Sequence, residues 1–278
     1  MTGPRVVLRS MALWLWLALT VIPVALGLVL ASVFVRGAKL YWMAVSWNRL
    51  VVWGARHICG VEHRVQGWER VLDAHAQGQR IVVCPKHQSA WETFFLSTVI
   101  PRPMAYVFKR ELLYIPFFGW ALARLDMVHI DRGRRSQAAR LVAQQGRRLM
   151  DAGNWVILFP EGTRGPRGGQ LPYKLGAARL AVDTDAPILP IAVTSGRCWG
   201  KTGWWIHPGV IDVSVGPCVH VTGRDPKAVM ADVEAWIEAE MRRLDPTAYP
   251  QADVQADLQA STPQTSRQPH WAPGGSGA

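Results

Sequence analysis

A histidine and a glutamate stand five positions apart, His87 and Glu92, in the stretch Cys84-Pro85-Lys86-His87-Gln88-Ser89-Ala90-Trp91-Glu92-Thr93. A carboxylate within hydrogen-bond reach of an imidazole fixes its tautomer and supports the charge it gains as a general base. On one continuous helix a five-residue step turns through about 500°, which leaves the two side chains about 140° apart. They meet only if His87 sits on a loop or first turn and a following helix carries Glu92 back toward it. The bland reading is a structural histidine beside a solvated glutamate, and the pair alone does not separate the two.

Two further short stretches carry chemical groups: Asp131-Arg132, and Glu161-Gly162-Thr163-Arg164 ahead of a glycine-rich run to Gly169. Arginines with free glycine amides nearby suit a phosphate monoester, because guanidinium grips phosphate oxygens in a planar fork. A single loop arginine is more often only solvated.

The elements that must position these groups are legible around them. Ile81-Val82-Val83 is a β-branched run ending at Pro85, and Phe94 to Ile100 is apolar, so a buried strand, a loop and a helix are predicted in that order. Further strands are predicted over 59–65, 104–108, 127–130, 155–159, 187–193, 210–215 and 219–222. Helices are predicted over 68–75, 136–152 with Ser136 as N-cap, 173–183 and 226–244. The stretch from Tyr114 to Trp120 is strongly aromatic and reads as core, membrane contact or the wall of an acyl-chain site. All three chemical stretches follow predicted strands, and ligands of open α/β sheets usually sit at the strands' C-terminal ends. The pattern predicts an α/β fold, a mixed sheet covered by helices, behind an N-terminal membrane-associated helical motif.

That motif rests on two segments. Ala12 to Val35 carries no charge and as a helix spans about 36 Å, enough for a hydrocarbon core of about 30 Å. It is too long for the apolar part of a cleaved signal and reads as a retained anchor, with a kink expected at Pro23. From Leu40 to Gly54 a helix would gather Lys39, Ser46, Arg49 and Arg56 into one polar stripe, opposite Trp42, Val45, Val52 and Trp53. An amphipathic helix in the membrane interface is the functional reading, and a core helix the bland one. Beyond Asp245 the chain turns to Gln, Ala, Pro, Ser and Gly, and disorder is expected there. The domains expected are residues 1–57 as membrane-anchoring helices, 58–245 as the α/β domain and 246–278 as a disordered tail.

The chain has 278 residues and a net charge of +11, enough for one sizeable core and a basic surface that attracts anionic partners. Its cysteines, Cys59, Cys84, Cys198 and Cys218, lack the spacing of a zinc site or a disulfide framework. A membrane-tethered nucleic-acid-binding protein is a rival reading, but no reading module or aromatic platform is present, so no nucleic acid is expected as a partner.

Taken together, His87-Gln88-Ser89-Ala90-Trp91-Glu92 and Phe159-Pro160-Glu161-Gly162-Thr163-Arg164 resemble the motifs of the glycerolipid acyltransferases, above all the bacterial lysophosphatidic acid acyltransferases. The blocks Met127 to Arg132 and Ile188 to Ile191 agree, and the resemblance covers about Ile81 to Val193. The chain departs from the family in one place: the histidine motif usually ends in aspartate, and here it ends in Glu92. The resemblance implies acyl transfer from an acyl-CoA or acyl carrier protein donor to the free hydroxyl of lysophosphatidic acid, within phospholipid biosynthesis. It implies His87 as general base and Glu92 as its orienting partner. Arg132, Glu161, Gly162, Thr163 and Arg164 would shape the acceptor site, with Glu161 anchoring the arginines or the acceptor hydroxyl. Lys174 and the pair Lys109-Arg110 are candidates for the donor's phosphates. No metal or cofactor is implied, because a thioester is already an activated donor. A lysophospholipid acceptor implies the bilayer as partner and the cytoplasmic face of the bacterial inner membrane as location. Another lysolipid, such as a lyso-ornithine lipid, is the alternative acceptor.

Overall fold

The computed structural model describes residues 3–130 and 135–249. Two long helices open it. α1 (Pro4–Ala31) carries a proline in its first turn, where the missing N–H is no loss, and α2 (Ala38–Cys59) packs against it. Gly60 ends α2 in the left-handed region at φ 74°, a conformation that strains any residue with a Cβ, and sends its N–H back to the Arg56 carbonyl.

The chain then alternates: β1 (Val61–Gln66), α3 (Glu69–Ala76), β2 (Val82–Pro85), α4 (Trp91–Val99) and β3 (Met104–Lys109). A 3-10 turn over Arg110–Tyr114 leads into α5 (Phe118–Leu122), β4 (Val128–Ile130), α6 (Arg135–Asp151) and β5 (Trp155–Ile157). The remainder is α7 (Gly176–Thr184), β6 (Ile188–Val193), β7 (Gly209–Val215) and α8 (Pro226–Leu244). Asp225 caps α8 by accepting the Lys227 N–H at 2.9 Å.

The strands form one mixed sheet in the order β1-β7-β6-β2-β5-β3-β4. Every neighbouring pair is parallel except β6 and β7. β2 lies in the middle with all its residues buried, which is why it reads as an unbroken apolar run. Alternation divides the strands between two cores. Val83, Ile157, Leu189 and Ile191 face α1, α2 and α4, where they meet Leu13, Val45, Val51 and Phe95. Val82, Val156, Ile188 and Ala192 face α6, α7 and α8, where they meet Leu149, Leu180, Val233 and Ile237. β2 and β5 are parallel neighbours, with Val82 opposite Val156, so the loops after both leave the same edge of the sheet.

Some local expectations change. Val219 makes only an isolated bridge to Ile188, so 219–222 is not a strand; the chain turns away at Thr222 and Gly223. Strand β5 is shorter than expected and frees Leu158 and Phe159 for the following loop. α7 starts at Gly176, because the Lys174 N–H is drawn to the Pro160 carbonyl at 2.8 Å and holds that segment out of the helix. Helix α6 begins at Arg135, which places Ser136 inside its first turn. α2 buries Tyr41, Val45, Val51 and Ala55 in the same core as the sheet, while Trp42 and Trp53 stay exposed. Its inward face therefore belongs to the core, and the tryptophans stand outside it. Past α8 the chain still packs: Tyr249 is buried, and Asp245 pairs with Arg167 at 2.7 Å.

Candidate active site

β2 delivers Lys86 to Ser89 into a loop, and α4 begins at Trp91. Ser89 Oγ accepts the Trp91 N–H at 2.9 Å and starts that helix. The turn brings Glu92 back beneath the histidine, so the condition set by the five-residue spacing is met. Glu92 Oε1 lies 2.9 Å from His87 Nδ1 and also accepts the N–H groups of Gln88 and Ser89, at 2.8 and 2.7 Å. An ionised carboxylate is an acceptor only, so Nδ1 carries the proton and Nε2 keeps its lone pair. Glu92 is wholly buried, and the His87 ring lies flat on Phe159, with centroids 3.8 Å apart and planes at 22°. The imidazole is fixed from one edge and one face.

The loop after β5 carries the second motif. Gly162 turns at φ 66°, in the left-handed region that strains any residue with a Cβ, so the position favours glycine, and the Lys174 side chain lies against it. The Gly165 N–H donates to the His87 carbonyl at 2.8 Å, which ties this loop to the first.

Both loops open onto a cavity of about 1130 Å³. His87, Gly162, Thr163, Arg164 and Lys174 line it, together with Lys109 and Arg179, and none of the described residues lining it is an aspartate or glutamate. Most of the remaining wall is apolar and reaches both N-terminal helices: Val21, Ala25 and Leu28 from α1, Val45 and Trp47 from α2, and Phe94 from α4. The aromatic stretch contributes Phe118 to the same wall, while Tyr114 and Trp120 are exposed. A cationic mouth, an imidazole and an apolar recess in one space can take an amphiphile with an anionic head. Lys109 stands near that mouth but is paired with Glu111 at 2.8 Å.

Glu161 stands off the cavity wall. The expectation placed it in the acceptor site beside the arginines, but it is buried to 2% and does not line the cavity. Its Oε2 accepts the His87 N–H at 2.7 Å, and its Oε1 lies 2.9 Å from the ammonium of Lys86. A carboxylate here is held by donors already inside the protein. Arg132 and Asp131, the other expected acceptor loop, lie outside the described residues.

Sequence reasoning passed over Lys86, which is fully buried between Glu161 and Glu238 of α8, 2.6 Å from the latter. Burial pulls the pKa of an ammonium down, but the two carboxylates reverse this and hold Lys86 above its usual value. Burial raises the Glu161 carboxyl above its usual value, with the Lys86 ammonium and the His87 N–H opposing. The signal available was a lysine at the exit of a buried strand, where a charge needs a partner. The partner is far away in the chain and cannot be read locally.

Comparison with known proteins agrees with this geometry. A family model described as Acyltransferase matches residues 62–194. The 1-acyl-sn-glycerol-3-phosphate acyltransferase of Pseudomonas aeruginosa is 39% identical over 224 residues, 80% of this chain and 85% of that protein. The Escherichia coli protein of the same description is 30% identical over 178 residues, 62% of this chain and 71% of that one. In fold, the chain resembles the solved 1-acyl-sn-glycerophosphate acyltransferase of Thermotoga maritima, with TM-score 0.69 at 21% identity, covering 86% of this chain and 97% of that one.

Proposed function

This chain belongs to the 1-acyl-sn-glycerol-3-phosphate acyltransferase family, and from that premise we propose that it transfers an acyl group from acyl-CoA or acyl carrier protein to lysophosphatidic acid, with His87 as general base. His87 Nε2 takes the proton of the free glycerol hydroxyl as its oxygen attacks the thioester carbonyl. The tetrahedral intermediate then collapses, the C–S bond breaks, and the imidazolium returns the proton to the departing thiolate. Positioned general-base catalysis is worth about 10²–10⁴-fold. Glu92 supports the ring through Nδ1 and balances its charge while protonated.

The observation that carries this reading is one cavity that joins His87, the cations Arg164, Lys174 and Arg179 with no aspartate or glutamate among the described residues of its wall, and an apolar recess. A phosphate monoester at Arg164 and Lys174 is matched by charge, with Arg132 expected beside them. Gly162 and Thr163 shape the turn that presents Arg164. The recess accommodates an acyl chain.

The same reading explains the N-terminal helices. α1 is the one helix among the described residues long and apolar enough to cross a membrane. Here it lies along the domain: the Trp14 indole donates to the Trp204 carbonyl, and Ser10 Oγ accepts the Ile206 N–H. Its outward row, including Leu8, Leu15, Leu19, Leu26 and Leu30, is exposed and turned toward lipid in this proposal. An acceptor that resides in the bilayer and a thioester donor in the cytosol together place the site at the cytoplasmic face of the inner membrane. Residues 1–57 then serve as the membrane part, 58–245 as the catalytic part and 246–278 as a tail.

The test is to incubate the purified protein with labelled oleoyl thioester and a panel of lysolipids. Labelled phosphatidic acid is the expected product. Transfer only to a lysolipid without a phosphate monoester, such as lyso-ornithine lipid, would overturn the acceptor assignment.

A further inference from the structure

Behind the catalytic loop, away from the cavity, Lys86, Glu161 and Glu238 form a cluster with no access to solvent beyond a few per cent. The Lys86 ammonium donates to Glu238 Oε1 at 2.6 Å and to the Gly169 carbonyl at 3.3 Å, and lies 2.9 Å from Glu161 Oε1. Tyr173 donates its hydroxyl to the same Glu238 oxygen at 2.9 Å. The remaining Glu161 oxygen takes the backbone N–H of His87. Two carboxylates thus share one ammonium. Each needs every donor that reaches it, because an uncompensated charge in such a place is expensive.

We propose that this cluster is the device that positions His87 against Glu92, and that Glu161 and Glu238 act as positioning residues rather than as contacts for the acceptor. The proposal rests on the acyl-transfer reading above. Its logic is mechanical. Glu238 is held by α8, whose Val233, Ile237 and Met241 are buried on either side of it along the helix. Glu238 fixes Lys86, Lys86 fixes Glu161, and Glu161 fixes the backbone nitrogen of His87. If that nitrogen moves, a buried carboxylate loses its hydrogen bond, so the loop has one low-energy place. The imidazole then meets Glu92 with its face on Phe159.

Two of these residues lie in or before the motif loops, but Glu238 lies outside the stretch 62–194 matched by the family model. The C-terminal helix is therefore part of what makes the catalytic loop rigid. A neighbouring contact acts in the same sense: Gln88 donates to the Tyr249 hydroxyl at 2.7 Å and accepts the Gly196 N–H at 3.1 Å.

The experiment compares wild type with Glu238→Gln and Glu238→Ala in full-length, membrane-reconstituted protein. It measures kcat, KM for each substrate, and hydrogen exchange of the peptide spanning 84–92. Misplacing a catalytic group by a fraction of an ångström costs rate rather than affinity. The expected result for Glu238→Ala is a kcat about tenfold lower, with both KM values within about twofold of wild type and faster exchange in 84–92. Glu238→Gln, which keeps a hydrogen-bond acceptor for Lys86, should recover part of the loss. A merely structural role would change the amount of folded protein but not kcat per folded molecule or exchange confined to that peptide. Should the Glu238 variants fail to fold, Tyr173→Phe removes the hydroxyl bond to Glu238; because Tyr173 also lines the cavity, the expected result is a kcat about threefold lower with the same exchange change and both KM values within about twofold of wild type. Unchanged kcat and unchanged exchange in a folded variant overturn the proposal. So does a rise in KM for lysophosphatidic acid at constant kcat, which would return the cluster to the acceptor site. Exchange is read without turnover, so an inactive wild type would count against the acyl-transfer reading and leave this inference still decidable.

Discussion

Replacing Glu92 by glutamine separates the two things its carboxylate does. One oxygen collects three donors, Nδ1 of His87 and the N–H groups of Gln88 and Ser89, while the other is buried without a hydrogen-bond partner. A glutamine keeps all three bonds only with its oxygen turned toward them, which pins the NH₂ group where Oε2 now lies. That buried donor finds no acceptor, at a cost of about 1–3 kcal/mol in stability. The tautomer survives, because Nδ1–H still has an oxygen to meet. The lost quantity is charge. A carboxylate and an imidazolium about 4 Å apart attract by about 4 kcal/mol at an effective dielectric near 20, and the amide dipole restores about 1 kcal/mol of it. The remaining deficit of about 3 kcal/mol predicts a kcat about 10²-fold lower. The assay is initial-rate acyl transfer at saturating substrates, with a thermal melt to count folded protein. A folded Glu92→Gln enzyme within about threefold of wild type would refute the argument that this carboxylate stabilises the protonated ring.

Arg164→Ala should raise KM for lysophosphatidic acid by about tenfold and leave KM for the thioester nearly unchanged, and Arg164→Lys should recover only part, since it lacks the planar fork. Should the thioester KM rise instead, the two substrate sites are exchanged. Washing membranes with high salt should fail to release the full-length protein while detergent releases it, because the exposed leucines of α1 contribute more than its few basic residues; protein in the salt supernatant would mean α1 is not an anchor. Asp245 is held below the usual carboxylate range by hydrogen bonds from Arg167 against the opposing effect of burial, with Arg197 assisting. A depressed folded pKa means its stabilisation is complete above the ordinary value of 3.8 and fades as pH falls through the folded one. Asp245→Asn should therefore lower the melting temperature by about 4–8 °C at pH 7 and by progressively less as pH falls below 3.8, and a drop that does not change with pH would contradict the charge argument.

The parts of this protein that sequence displays well are those whose physics is local. β2 shows itself because a central parallel strand is apolar on both faces, and α8 because Asp225, Pro226 and a regular apolar stripe mark its start and length. The meeting of His87 with Glu92 followed from one geometric condition on a five-residue step. The cluster under the catalytic loop was invisible for the opposite reason: Lys86 and Glu238 are joined only by the way α8 crosses the sheet. Glu161 is expected beside the arginines because Arg164 follows it by three residues, whereas around the sharp turn at Gly162 the Glu161 side chain is buried against Lys86 and Arg164 lines the cavity. For α2 the expected apolar face divides: Val45 lies in the core and Val52 packs against it, whereas Trp42 and Trp53 stay exposed, because indoles are apolar yet tolerate exposure. Membrane and core helices share a pattern until something is seen to pack on them.

The most direct test of the account is single-turnover acyl transfer by the wild type and by His87→Ala, with labelled oleoyl thioester and lysophosphatidic acid in bilayers and equal amounts of folded protein. The account predicts labelled phosphatidic acid from the wild type and a rate at least about 10²-fold lower from His87→Ala, with an unchanged melting temperature. Near-normal turnover by folded His87→Ala protein would contradict it.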